Sequence, residues 1–126
     1  MIKNPCVFCT LNPSQIIAEN DLAVAIRDIF PVTEHHTLII PKRHVADYFD
    51  LTPEEHEAVH MLLASQRESI QKADNTVTGF NVGVNCGTDA GQTIFHVHVH
   101  LIPRRKGDVD TPKGGVRGVI PAKQGY

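Results

Sequence analysis

The run Phe95-His-Val-His-Val-His-Leu-Ile-Pro103 sets His96, His98 and His100 alternately with Val97, Val99 and Leu101. In an extended strand this period of two places the three imidazoles on one face and the apolar side chains on the other. A half-buried strand needs only solvated residues on its outer face. Three repeats of the one side chain that titrates near neutral pH therefore require a chemical reason, and they mark a reaction centre.

Spacing limits the chemistry. Same-face neighbours on a strand lie roughly 6–7 Å apart and the outer pair roughly 13 Å, so one flat strand cannot bring all three rings to one metal. Two readings stay open. In the first, two rings ligate zinc while the third does something else. In the second, the central ring is a nucleophile and its neighbours orient it and manage protons. A neutral imidazole has an exposed lone pair at Nε2, needs no strong base, and leaves well once phosphorylated, so it suits attack on phosphorus. The bland alternative is a hydrogen-bonded row with no chemistry.

Two other groups have metal-ligand spacing. Cys6-Val-Phe-Cys9 has the two-residue gap at which both thiolates reach one tetrahedral zinc. It lacks a second local pair, and plain reduced thiols or a redox Cys-x-x-Cys compete with the metal reading. His56-Glu-Ala-Val-His60 formally satisfies the H-E-x-x-H metalloprotease pattern. The core stripe of its helix runs through Val59, Leu63 and Ile70, which leaves His56 at the border and His60 further out, near solvent. A protease also needs a third ligand and a peptide cleft, and no downstream Glu or His outside the triad is an obvious candidate, so this match is read as accidental.

The elements that must position these groups follow from pattern. Gln15 to Glu19 and Leu22 to Ile29 are apolar runs separated by a Glu-Asn-Asp turn signal, predicting paired strands. Thr37 to Ile40 is a short strand stopped by Pro41. Thr52-Pro-Glu-Glu55 is a capping box with proline at the first helical position. Val59, Leu62, Leu63 and Ile70 then follow at helical spacing, predicting one amphipathic helix that ends near Ala73. Phe80 to Asn85 and Ile94 to Ile102 read as an antiparallel pair joined by a loop containing Gly87, Asp89 and Gly91. Sheet, long helix and sheet again predict an α+β domain with helices on one side of an antiparallel sheet and the histidine strand at its centre.

The 126 residues fit one compact domain, with a core over about 5–104 and an extended, basic, glycine-rich tail over 105–126. Twelve basic against fourteen acidic residues give a net charge of −2. No basic block interleaves with aromatics, which argues against nucleic acid as a partner. No stretch approaches a membrane span and no basic start precedes an apolar run, so no membrane association and a cytoplasmic location are expected. Three cysteines, an odd number, argue against a disulfide framework.

Together these residues resemble the histidine-triad (HIT) family of nucleotide hydrolases and transferases, whose signature His-φ-His-φ-His-φ-φ, with φ apolar, is complete here. The likeness runs from Cys6 through Pro103 and includes Asp28-Ile-Phe-Pro, His36-Thr-Leu-Ile-Ile-Pro-Lys-Arg-His44 and Gly91-Gln-Thr. Ala90-Gly-Gln-Thr93 and Pro103-Arg-Arg-Lys-Gly-Asp108 are similar to the dinucleoside-polyphosphate hydrolase branch, with the purine nucleoside phosphoramidase branch close behind. The resemblance implies a HIT-like α+β fold, an antiparallel sheet with one long amphipathic helix and a short second helix.

It also implies roles. His98 would attack the α-phosphorus and hold the nucleotidyl group until water releases a nucleoside monophosphate such as AMP or GMP. His100 would contact the phosphate and fix the ring of His98, and His36 would be the outlying fourth histidine. Asp28 would accept from the ribose hydroxyls, Asn85, Gln92 and Thr93 would contact phosphate, and Gly91 would let the backbone approach closely. Phe8 and Ile26 would line the base pocket. Relatives with the amino-terminal Cys pair complete a zinc site with the residues matching His44 and His96, giving a closed, structural Cys6, Cys9, His44, His96 centre, one per protomer, and Cys86 matches no ligand. A homodimer with a continuous sheet is implied as well. His35 stands where many relatives have glycine, and the tail, with Lys113, Arg117 and Lys123, either lines the leaving-group side or is solvated. A nucleotide-binding sensor or scaffold with weak catalysis is the expectation from another functional class.

Overall fold

The structure is a computed structural model and describes residues 6–126. Residue 5, where the sequence sets the start of the core, lies outside the described residues. Five strands, β1 (Ile16–Glu19), β2 (Ala23–Arg27), β3 (Thr37–Pro41), β4 (Val77–Gly83) and β5 (Val99–Arg105), surround one long helix, α1 (Pro53–Ala73), in the chain. They form a single sheet in the order β1-β2-β3-β5-β4, with every neighbouring pair antiparallel. This is the expected α+β class.

The β1–β2 turn is made by Asn20. Its Oδ1 accepts from the Leu22 and Ala23 N–H groups at 3.1 and 2.9 Å, and its Nδ2 donates to the Ala58 carbonyl on α1 at 2.9 Å. One side chain thus closes the hairpin and docks it on the helix. The capping box forms as the sequence requires: Thr52 Oγ1 accepts from the Glu55 N–H at 3.1 Å and Glu55 Oε1 accepts from the Thr52 N–H at 2.9 Å. Arg43 then clamps the same carboxylate from the loop after β3, at 2.7 and 3.0 Å.

Strand alternation divides the apolar residues between two layers. Ala23, Ala25, Ile39, Val97 and Val99 face α1 and pack on Val59 and Leu62. Val24, Ile26, Leu38 and Ile40 face the other way and pack with Phe8 and Leu11 from the amino-terminal segment and with Ile16 of β1. Burying each Val, Leu or Ile contributes on the order of 1.5–3 kcal/mol, so the helix and the amino-terminal segment both hold the sheet. The register puts Ile26 opposite Leu38 and Leu38 opposite His100, so these three lie in one row on the face away from α1.

Four expectations are corrected. The histidine strand is shorter at its start than Ile94 to Ile102, because His96 and Val97 leave the ladder: the Val97 N–H donates to the Val45 carbonyl at 2.8 Å and His96 Nε2 to the Pro41 carbonyl at 2.7 Å. It is paired on both sides, but β3, not β5, is the middle strand. The short second helix occurs only as 3-10 turns, Pro13–Gln15, Tyr48–Asp50, Thr88–Ala90, Gly115–Val119 and Pro121–Lys123. The tail is not extended. It folds back on itself because Gly114 takes φ +92°, where a Cβ would collide with the Gln124 carbonyl, and Gln124 Nε2 donates to the Thr111 and Lys113 carbonyls at 3.4 Å each. Among the described residues no helix is long and apolar enough to cross a membrane.

Candidate active site

Hydrogen bonds fix the tautomers of His98, just before β5, of His100 on β5 and of His36, just before β3. His98 Nδ1 lies 2.9 Å from the carbonyl of His96. A carbonyl only accepts, so Nδ1 carries the proton and Nε2 keeps its lone pair. The Val32 N–H donates to His36 Nδ1 at 3.0 Å, so His36 is protonated at Nε2. That nitrogen donates to His100 Nδ1 at 2.9 Å, which leaves the His100 proton on Nε2. One backbone amide thereby sets, through two rings, a donor at His100 next to the lone pair at His98. The His98 and His100 ring centres are 5.4 Å apart.

Burial keeps the relay uncharged. It pushes His36 below the ordinary histidine range, with Asp28 partly opposing. His100 is pushed down to about 4 by burial first, then by His98 and His36, against Asp28. Asp28 Oδ1 accepts from the Phe30 N–H at 2.9 Å and its Oδ2 stands 3.5 Å from His36 Nε2.

A cavity of about 700 Å³ opens over this face. Its walls include Phe8, Ile26, Leu38 and Leu11 on an apolar side and Asp28, Asn85, Gly91, Thr93, His98 and His100 on a polar side. The Phe8 ring packs on the His98 ring with centres 5.0 Å apart. An apolar slot beside a carboxylate, an unprotonated imidazole nitrogen and an imidazole N–H suits a ligand with a flat apolar end and an anionic end. Gly91, at φ +96°, shapes the polar wall: a side chain is strained there in any rotamer.

Not every expected residue reaches the cavity. Gln92 does not. It is buried, its Nε2 donates to the Ala46 and Ile94 carbonyls at 2.7 and 3.2 Å, and its Oε1 accepts from the Gly87 N–H at 2.8 Å. Its amide is fully used in holding the loop, so a direct side-chain contact with phosphate is corrected to loop support. His36 stands behind His100 rather than on the wall. His35 adopts φ +73° and turns to Glu34 and Asp74, at 3.4 and 3.8 Å, so it neither crowds the cavity nor donates into it. Leu11, Gln15 and Leu38 are wall residues that sequence reasoning missed. For Leu38 the signal was its alternation within β3, but its neighbour His100 is fixed only by register.

His96 serves a different cluster. Its Nε2 donates to the Pro41 carbonyl, which leaves Nδ1 unprotonated and 3.4 and 3.5 Å from the Cys6 and Cys9 sulfurs. His44 Nδ1 is 3.2 Å from Cys9 Sγ, and one donor atom from each of the four residues lies within 4.8 Å of the others. A tetrahedral ion with bonds of about 2.0–2.3 Å has ligand–ligand edges of about 3.3–3.8 Å. The donor types and separations therefore fit such an ion, and the carbonyl of Pro41, by holding the proton on Nε2, sets the required tautomer. His56 and His60 belong to no such group of three among the described residues, and His56 packs on Tyr48 instead.

Residues 10–107 match the model of the HIT domain family. An adenylylsulfatase, HINT3, of Arabidopsis thaliana is 37% identical over 114 residues, covering 85% of this chain and 56% of that protein. The asymmetrical bis(5'-nucleosyl)-tetraphosphatase of Schizosaccharomyces pombe is 38% identical over 95 residues, covering 75% and 52%. A crystal structure of a zinc-bound histidine triad family protein from Mycobacterium smegmatis superposes with a TM-score of 0.76 at 35% identity, covering 85% of this chain and 80% of that one. With a complete triad in the sequence, His98 and His100 on the cavity wall with His36 behind them, and these relatives, the chain belongs to the HIT family of hydrolases.

Proposed function

We propose that the protein hydrolyses dinucleoside polyphosphates at the α-phosphate through a nucleotidyl-His98 intermediate. The observation that carries this is the His98 Nδ1–H bond to the His96 carbonyl, which leaves the Nε2 lone pair beside the cavity. The base lies against Phe8 and Ile26, the ribose hydroxyls donate to Asp28, and Asn85, Thr93 and the backbone at Gly91 receive the phosphates. The Nε2 pair forms a P–N bond, and the P–O bond to the departing polyphosphate breaks, its electrons leaving with that oxygen. The ring is then a phosphoimidazolium whose Nδ1–H charge the His96 carbonyl offsets. His100 donates its Nε2–H to a phosphoryl oxygen, and His36 holds that tautomer. Water next attacks phosphorus, the P–N bond returns its pair to Nε2, and the proton lost by water is released with the nucleoside monophosphate.

Cys6, Cys9, His44 and His96 would hold one zinc ion per protomer as a closed structural centre. The ion would supply a cross-link and no substrate chemistry: it would tie the segment carrying Phe8 to the residue whose carbonyl orients His98. Cytoplasmic location and a homodimer with a continuous sheet complete the proposal, with small nucleotides as the partners. The adenylylsulfatase among the relatives favours a second leaving group, sulfate, at the same α-phosphorus.

The test is incubation with labelled diadenosine polyphosphates followed by an alkaline quench. The expected result is a base-stable, acid-labile adduct on His98, and a loss of roughly 10³-fold or more in turnover for His98→Ala. Full turnover by that variant would overturn the mechanism.

A further inference from the structure

We propose that Gln15 selects the base, favouring purines that carry oxygen at position 6 (guanine, hypoxanthine) over adenine. The assignment rests on the nucleotide reading of the cavity. Gln15 closes the turn Pro13–Gln15, and its side chain lies on the cavity wall together with Phe8, Leu11, Ile26 and Leu38. Its Oε1 accepts from the Asn12 N–H at 2.9 Å, as half of a capping box. Its Nε2 has no protein partner among the described residues. Flipping the amide would set NH₂ against the Asn12 N–H and break the cap. The wall therefore presents two N–H donors at this point, while Oε1 is turned to the Asn12 N–H of the cap.

The 6-substituent edge of a purine reads this difference directly. Guanine offers acceptors at both O6 and N7, whereas adenine offers N7 beside an N6 amino donor. Two donors from one amide satisfy the first pair. Against adenine one of them meets another donor, and the unmade bond weakens binding. Thr10, near Gln15 on this wall, gives its hydroxyl hydrogen to the Cys6 carbonyl at 3.0 Å, so Gln15 is the donor there.

Gln15→Glu tests this with the cap retained, because a Glu oxygen still accepts from Asn12 while the two donors become an acceptor. Calorimetric binding of GMP, IMP and AMP is measured on wild-type protein, Gln15→Glu and Gln15→Leu. The wild type is expected to bind GMP and IMP about ten-fold more tightly than AMP, Gln15→Leu to lose the preference, and Gln15→Glu to invert it. Charge repulsion from Glu acts on all three ligands and cancels in the ratio. Equal binding or an AMP preference in the wild type, GMP favoured over IMP, or a ratio unchanged in Gln15→Glu would each overturn the assignment while leaving the nucleotide reading intact. Binding of none of the three would remove the nucleotide reading, and this inference with it.

Discussion

The Nε2 of His36, on the loop before β3, lies 2.9 Å from Nδ1 of His100, on β5, although 64 positions separate them in the chain. Because the Val32 amide occupies the other nitrogen of His36, the bond has one direction, and His100 is left with a single donor to offer.

Removing His36 should therefore damage the chemistry more than binding. His36→Phe fills the buried site but lets His100 move its proton to Nδ1, which takes the donor away from the phosphate. The expected outcome is a fall in kcat of about 10²-fold, with the dissociation constant for a nucleoside monophosphate changing less than three-fold. Steady-state kinetics alongside calorimetry separate the two. An unchanged kcat would show that the relay does not set the tautomer.

Acid should weaken the fold partly through His100. In the native state its pKa is pushed down to about 4, against about 6.5 in an unfolded chain. Between these values the unfolded state binds a proton that the native state excludes, so this contribution is complete above pH 6.5 and is lost as pH falls toward 4. Urea unfolding of the wild type should show stability decreasing over that window. His100→Asn should show a shallower decrease, and parallel curves would refute the assignment.

The Cys/His cluster should hold a stoichiometric metal. Cys9→Ser is expected to lose zinc by elemental analysis and to lower Tm by about 10 °C, given about 4 °C per kcal/mol for a domain of this size. Turnover should fall too, since the cluster fixes His96 and its carbonyl orients His98. Retention of one metal per chain in Cys9→Ser would end the proposed ligand set.

Glu55 supports the helix rather than the site. It closes the cap of α1 and accepts two bonds from Arg43, and those bonds hold its carboxyl below the usual carboxylate range. Glu55→Ala should cost about 2 kcal/mol, the cap supplying about 1 of these, and should lower the urea midpoint with kcat retained. Glu55→Gln keeps the cap acceptor and should lose about half as much.

The local signals in the chain decided a good deal. Thr52-Pro-Glu-Glu55 sets the start of α1 because a capping box is closed within four residues. The alternation through Val99, His100 and Leu101 sets which faces of β5 are polar and apolar, since pleating is local. Turn chemistry at Asn20 likewise closes its hairpin. The family likeness then named half of the cavity wall. Gln92 escaped it because a side-chain amide of the same type can contact a ligand or brace a loop, and only the positions of the Ala46 and Ile94 carbonyls choose between them. The tail escaped because a run of glycines permits an extended path and a tight one equally.

What only the tertiary structure decided is the pairing of distant groups. Strand register brought Ile26, Leu38 and His100 into one row, and the departure of His96 from the ladder turned its ring to Cys6 and Cys9 while aiming its carbonyl at His98. The physical reason is that hydrogen-bond direction, and hence which imidazole nitrogen carries the proton, depends on neighbours up to 90 positions away in the chain. A sequence specifies the imidazoles; the fold assigns their protons.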